Sequence, residues 1–172
     1  MENIGALAIL LAFCFGVYSV VASLAGKWAK RPFLILSAER AVYSIWVLLT
    51  VAAGILIYSL MQGDFRMAYV AAHSNRAMAA VYKFTAWWGG QEGSLLFWSW
   101  LLATYASVVV YSNRRKFRDM MPYVTALLMT TQTFFLVLIG DALRIFPDSS
   151  FLWPNFLIGV RISYRIVKVG SL

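Results

Sequence analysis

Four long apolar stretches, separated by short clusters of charge, set the pattern of this chain. Ile4 to Ala25 carries no charged residue, and an uncharged apolar run beyond about 18 residues predicts a membrane-spanning helix. Gly26-Lys27-Trp28-Ala29-Lys30-Arg31-Pro32-Phe33 then predicts a short basic loop, with the glycine ending the helix and the proline discouraging helix at the residue before it. The next span is expected at 41–61, entered through Ser37, whose hydroxyl can cap it, and Glu39, whose carboxylate suits the positive end of a first turn. Arg40 can extend its stem to the surface that holds the basic loop. The remaining spans are expected at 94–111 and 123–140, separated by the cationic Asn113-Arg114-Arg115-Lys116-Phe117-Arg118, with Pro122 tolerated in a first helical turn.

The connection from Gln62 to Gly93 has one glycine, Gly63, before Gly89, so part of it should fold. After the capping residues Ser74 and Asn75, positions Met78, Val81, Tyr82, Thr85 and Trp88 recur at helical spacing, with Arg76 and Lys83 on the other side. This predicts an amphipathic helix lying on the membrane with its cations toward water or lipid phosphate. It leads into Trp87-Trp88-Gly89-Gly90-Gln91-Glu92-Gly93-Ser94, followed by Trp98 and Trp100. The glycines permit positive φ or close backbone approach, while tryptophan favours the level where hydrocarbon meets headgroups. An aromatic belt ahead of a span is the plain reading of that segment. Beyond Gly140 the pattern breaks up at Asp141, Arg144, Pro147, Asp148 and Pro154, so residues 146–172 form an atypical tail, interfacial or truncated.

Composition turns these stretches into a class. The 172 residues are 62% hydrophobic and 13% charged, with mean hydropathy +0.73, against about 45–50% and about 25% in soluble domains. The chain is therefore expected to be an all-α polytopic membrane protein with about four transmembrane helices and an outward-facing amphipathic segment. The formal net charge is +8, but membrane proteins use Lys and Arg beside their spans to set orientation, and no nucleic-acid partner follows. The basic loops predict that the N-terminus and the 62–93 connection face outward from the cytoplasmic, or inner, membrane. Met1-Glu2-Asn3 lacks the basic start of a secretory signal, so the first span is expected to be retained.

Candidate chemistry is sparse. Cys14 is the single cysteine, which excludes an internal disulfide or a Cys-x-x-Cys redox pair. No Walker loop, zincin helix or nucleophile elbow occurs, and no catalytic residue or metal site is assigned. His73 is the single histidine; it can ligate haem iron through a neutral nitrogen or act as a surface hydrogen-bonding group beside Ser74 and Asn75. Glu92 can be held by a helix N-terminus, by Lys83 or Arg76, or by a partner, as anchor or as functional group. In the fourth span, the hydroxyls of Thr130, Thr131 and Thr133 can bond back within their helix, and Gln132 can bond across to a neighbour. As a polar pathway the same residues would suit a small subunit of an ion-translocating or respiratory complex. A non-functional truncated fragment is the third alternative.

The order Tyr69-Val70-Ala71-Ala72-His73-Ser74-Asn75, then Tyr82-Lys83, then Trp88-Gly89-Gly90-Gln91-Glu92-Gly93-Ser94-Leu95-Leu96-Phe97-Trp98 resembles the amino-terminal region of the CcmF family over approximately residues 1–145. These are large multi-span cytochrome c-type biogenesis proteins of the haem lyase complex. The resemblance implies an amino-terminal transmembrane domain over 1–145, a process of haem delivery to apocytochrome c thiols outside the cytoplasmic membrane, and thioether formation there. It also implies haem as cofactor, with other cytochrome c maturation subunits, a haem chaperone, apocytochrome c and membrane lipid as partners. Family members usually carry histidine where this chain has Gln91, and their tryptophan-rich haem loop with its histidines lies beyond the matched region. The resemblance therefore implies a scaffold acting through Trp88, Glu92 and Trp98, neither binding haem nor catalysing attachment alone.

Overall fold

In the computed structural model, residues 2–63, 68–73, 79–113 and 116–141 are described. Their secondary structure is helical: α1 (Glu2–Trp28), α2 (Pro32–Gln62), α3 (Ala68–His73), α4 (Ala80–Gly89), α5 (Gln91–Asn113) and α6 (Met121–Asp141). Four of these, α1, α2, α5 and α6, are long and apolar enough to cross a membrane, giving the expected all-α polytopic class. The tail expected at 146–172, and the domain limit at 145, lie outside the described residues.

The four long helices close into a ring in which α1 packs on α2 and α6, α5 packs on the same two, and the α2–α6 diagonal contact is slight. Ile9, Ile45, Leu49, Leu56, Leu60, Leu96, Met129, Leu136 and Ile139 are fully buried in its interior. The outer surface is equally apolar, with Leu7, Val21, Val47, Val108, Leu127 and Phe134 exposed. Such a surface suits lipid, where association between helices comes from close packing and hydrogen bonds rather than from the hydrophobic effect.

Packing is closest along the α1–α2 seam, where Ser19, Ala22, Ser23 and Gly26 recur at three- and four-residue spacing. Small residues at that spacing let two backbones approach. Ser19 Oγ donates to the Ala38 carbonyl at 3.1 Å, and the Tyr18 and Ser37 hydroxyls are 2.7 Å apart. A Cβ built on Gly26 would meet Ile35 Cγ1 at 2.9 Å, Leu34 Cβ at 3.0 Å and the Ile35 backbone nitrogen at 3.1 Å.

The expected boundaries need correction at this corner. Gly26 does not end the first helix, which continues to Trp28. Termination falls to Lys30, at φ 53°, with Arg31 N–H bonding the Gly26 carbonyl at 2.9 Å and Lys30 N–H the Lys27 carbonyl at 3.3 Å. That pair of bonds is the Schellman pattern, with a lysine in the left-handed position that usually holds glycine. Likewise α2 starts at Pro32 rather than after a cap at Ser37, so Ser37 and Glu39 lie inside the helix and its first turn holds no acidic residue. The physical reason is that proline at the first helical position lacks only an N–H that has no partner there, and its fixed φ already matches the helix. The result is a helix of 31 residues, about 46 Å at 1.5 Å per residue, against a hydrocarbon core of about 30 Å.

Candidate functional site

The α4–α5 corner is built from aromatic rings. α4 ends at Gly89, and Gly90, at φ −101° and ψ 161°, is extended rather than left-handed, so the turn does not draw on the positive φ that glycine allows. Helix α5 begins at once at Gln91. Its first turn is tied back by Ser94 N–H to the Gly90 carbonyl at 2.9 Å and by Ser94 Oγ to the Gln91 carbonyl at 2.8 Å. A Cβ on Gly89 would meet nothing within 4 Å.

The amphipathic helix expected here exists as Ala80–Gly89; its apolar stripe is free for lipid as expected, and the difference lies on the Lys83 side, which packs against protein instead of facing water. Val81 and Tyr82 are 71% and 66% exposed and Trp88 is 42% exposed, whereas Trp87 is 6% exposed. The helix packs on α5 and α2 through the side that carries Lys83, Ala86, Trp87 and Gly90. The apolar stripe thus turns outward, as an interfacial helix does when lipid is its apolar neighbour, and Trp87 supplies the inward contact.

Trp87 is the hub of the cluster. Its ring lies edge-on to Phe97 at 5.1 Å between centroids, to Trp100 at 6.2 Å and to Phe84 at 6.3 Å. Trp88 adds edge contact with Phe84 at 5.5 Å and a tilted contact with Phe97 at 5.8 Å, and Phe97 reaches Trp98 at 5.9 Å. Tilted and edge-to-face rings at these separations satisfy the aromatic quadrupoles.

Beneath it, α2 and α5 are joined by a reciprocal clasp. Trp100 Nε1 donates to Thr50 Oγ1 at 3.0 Å, and Thr50 Oγ1 donates to the Trp46 carbonyl at 2.8 Å. Trp46 Nε1 in turn donates to Thr104 Oγ1 at 3.0 Å, and Thr104 Oγ1 to the Trp100 carbonyl at 2.9 Å. Each threonine bonds back within its own helix and presents its remaining lone pair to the opposite tryptophan. The sequence signal was a repeated Trp-x-x-x-Thr at 46–50 and 100–104, one helical turn each.

Of the residues singled out from sequence, Trp88 and Trp98 are brought together through Phe97. Tyr82 and Lys83 ride on α4, and Gly89, Gly90, Gly93 and Ser94 form the corner. His73 ends α3, a short helix whose Val70 is buried in the core. Ser74 and Asn75 lie outside the described residues; so does the Glu92 side chain, although its backbone belongs to α5. Trp87, Phe97 and Trp100 belong to the aromatic stretch singled out from sequence, and the structure adds Phe84 and packs all four into one cluster. The available signal is the Trp87-Trp88 pair itself, since neighbours on a helix point about 100° apart and so meet different surroundings where one side of the helix is packed on protein.

The polar stretch in α6 is engaged in packing. The hydroxyls of Thr130, Thr131 and Thr133 bond the carbonyls of Ala126, Leu127 and Met129 at 2.8, 3.2 and 2.7 Å. The buried Gln132 donates through Nε2 to Ser99 Oγ at 2.7 Å. Among the described residues no group of three or more His, Cys, Asp or Glu side chains could hold a metal ion. The corner's chemistry is therefore that of an apolar, aromatic surface which can stack against a flat ring or a protein face.

No protein-family model matches the chain. It is 36% identical over 128 residues to the cytochrome c-type biogenesis protein CcmF of Pseudomonas fluorescens, covering 74% of this chain and 19% of that protein. It is 34% identical over 118 residues to the cytochrome c-type biogenesis protein NrfE of Haemophilus influenzae, covering 69% and 19%. A solved structure, the cytochrome c heme lyase CcmF, superposes with a TM-score of 0.72 at 26% identity, covering 80% of this chain and 23% of that one. The chain thus spans about a fifth of the length of the relatives it matches. Agreement in sequence with several such proteins, and in helix arrangement with a solved one, makes this four-helix unit a region of the CcmF family.

Proposed function

We propose that this chain serves cytochrome c maturation as the amino-terminal membrane unit of a CcmF-like factor, with the α4–α5 corner as its outward-facing scaffold. The observation that supports this best is the pairing of sequence similarity to cytochrome c-type biogenesis proteins with the helix arrangement of the heme lyase CcmF. In this reading the exposed Trp88 and Trp98 receive the remainder of the haem-handling apparatus, other maturation subunits, a haem chaperone and apocytochrome c. The basic connections after α1 and α5 would lie on the cytoplasmic side of the inner membrane.

Haem would be held elsewhere. A bis-histidine site needs two imidazoles, and the chain has one, His73. Purified chain titrated with haem should give no low-spin spectrum that vanishes in His73→Ala.

The deciding experiment supplies this chain to cells whose own CcmF-family protein lacks the matching segment, and measures covalent haem in their c-type cytochromes. Restoration is expected, with Trp88→Ala and Trp98→Ala together lowering it several-fold at equal protein level. No restoration by chain that is present in the membrane would reject the proposal. Orientation is tested separately with single cysteines at Asn75 and Asn113 in a Cys14→Ala background, using an impermeant thiol reagent. Labelling at Asn75 is expected, and labelling only at Asn113 would invert the topology.

A further inference from the structure

At the end of the unit away from the aromatic corner, the α1–α2 turn and the segment before α6 line an open cavity of about 720 Å³. Its lining is divided. Gly26, Pro32, Ile35 and Leu36 supply an apolar wall, while Lys27, Lys30 and Arg118 outnumber the carboxylates of Glu39 and Asp119.

The cations are not equivalent. Lys27 is committed: its Nζ lies 3.3 Å from Asp119 Oδ1, donates to the Asp119 carbonyl at 3.1 Å and sits 5.9 Å from the centre of the Tyr123 ring. Among the described residues, Lys30 and Arg118 form no ion pair. Lys30 also holds the left-handed position that closes α1, where glycine would cost less, so the turn is less stable for carrying this side chain. Next in the chain to the lining residues Lys27 and Pro32 stand two large apolar side chains, Trp28 and Phe33, which are 77% and 75% exposed. A cationic cavity with an apolar wall and exposed aromatic residues beside it matches an amphiphile whose charged end is a phosphate. A wholly water-borne anion would have no use for the apolar side.

We propose that this cavity binds the phosphate of an anionic membrane lipid, with Lys30 and Arg118 contacting the headgroup and Ile35, Leu36 and Phe33 lying along the first part of an acyl chain. The site is independent of the aromatic corner and of the reading in cytochrome c maturation. It gives the α1–α2 end a fixed position at the membrane surface.

The full chain, purified in mild detergent and placed in nanodiscs of equal phosphatidylglycerol and phosphatidylcholine, is analysed by native mass spectrometry for retained lipid. At least a three-fold preference for phosphatidylglycerol is expected. Lys30→Gly should fold at least as well, because the turn favours glycine, yet lose most of that preference; Lys30→Gln with Arg118→Gln should abolish it. Lys116→Gln, a neighbouring cation outside the cavity lining, should leave it intact. Equal retention of both lipids by the unaltered chain would overturn the proposal, as would an unchanged preference in well-folded Lys30→Gly. Displacement of phosphatidylglycerol by millimolar inorganic phosphate would overturn it too, by assigning the cavity to a free anion.

Discussion

The α1–α2 corner and the α4–α5 corner each join two helices within a few residues, and each contains glycine, but they are closed by opposite means. At the first, the Gly26 backbone presses on the start of α2: Ile35 Cγ1, Leu34 Cβ and the Ile35 backbone nitrogen lie within 3.1 Å of where a Cβ would stand. At the second, aromatic rings fill the angle, centred on Trp87, and Gly89 has open space beside it. A contact with backbone and with side-chain atoms close to it has little freedom to absorb an added atom, whereas a surface glycine has room. The need for glycine is therefore set by the neighbouring element and not by the density of glycines along the chain.

Substitution of glycine gives the largest effect that separates the two corners. Gly26→Val should prevent recovery of folded chain from the membrane, and Gly26→Ala should cost about 1–3 kcal/mol, the usual range for overpacking. Gly89→Ala should be neutral or stabilise by up to about 1 kcal/mol through helix propensity. Recovered yield and denaturation in mild detergent, followed by tryptophan fluorescence, measure both. Equal losses at the two positions would erase the contrast.

The spans themselves were legible because a membrane helix is written in length and apolarity, and Ile4–Ala25 shows both without interruption. Boundaries were less so. Pro32 looked like the end of a loop when it is the first residue of α2, since proline marks a helix start as readily as a break. Gly26 looked like a terminator because the partner that presses on it, Ile35, belongs to another helix. The aromatic corner was half legible: its residues stood together in sequence, but which tryptophan faces inward depends on where α2 and α5 lie. The apolar stripe of the amphipathic helix is legible for what it is, but that the Lys83 side meets protein instead of water is not, because a stripe alone does not say what covers the opposite side.

The next effect concerns the two adjacent tryptophans. Trp87→Ala empties the centre of the aromatic cluster and should weaken the seating of α4 by about 3 kcal/mol, the low end for loss of a buried tryptophan. Trp88→Ala, on the exposed side, should leave that seating within about 0.5 kcal/mol. Limited proteolysis of the α3–α4 region in detergent reports the difference as a cleavage rate. Equal protection of the two variants would mean that α4 is held by something other than Trp87.

Smaller again is the clasp that supports this corner. Thr50→Ala and Thr104→Ala each remove an acceptor for an indole N–H, and a cross-helix hydrogen bond within a membrane protein is worth about 1 kcal/mol. Because the two bonds join the same pair of helices, the double variant should lose less than the sum of the singles once the first loss has loosened the pair. Chemical denaturation of the four proteins in one detergent gives the cycle. Strict additivity would show two independent bonds instead of one clasp.

The smallest effect lies midway between the corners, where Gln132 of α6 donates to Ser99 of α5 at 2.7 Å. Gln132 is fully buried, and its Oε1 has no hydrogen-bond partner among the described residues. Its amide therefore already carries part of the cost of burial without a return bond. Gln132→Leu removes that burden together with the bond and should change stability by less than about 0.5 kcal/mol, since the Ser99 hydroxyl can turn back to a carbonyl of its own helix. Ser99→Ala strands the amide donor and should cost about 1 kcal/mol. The two substitutions together should resemble Gln132→Leu alone, because no polar group is then left stranded. The same variants sharpen the choice between packing and a polar pathway: proton flux in liposomes should be at background for the unaltered chain and unchanged in Gln132→Leu. A flux that Gln132→Leu abolishes would move this stretch of α6 from packing to transport.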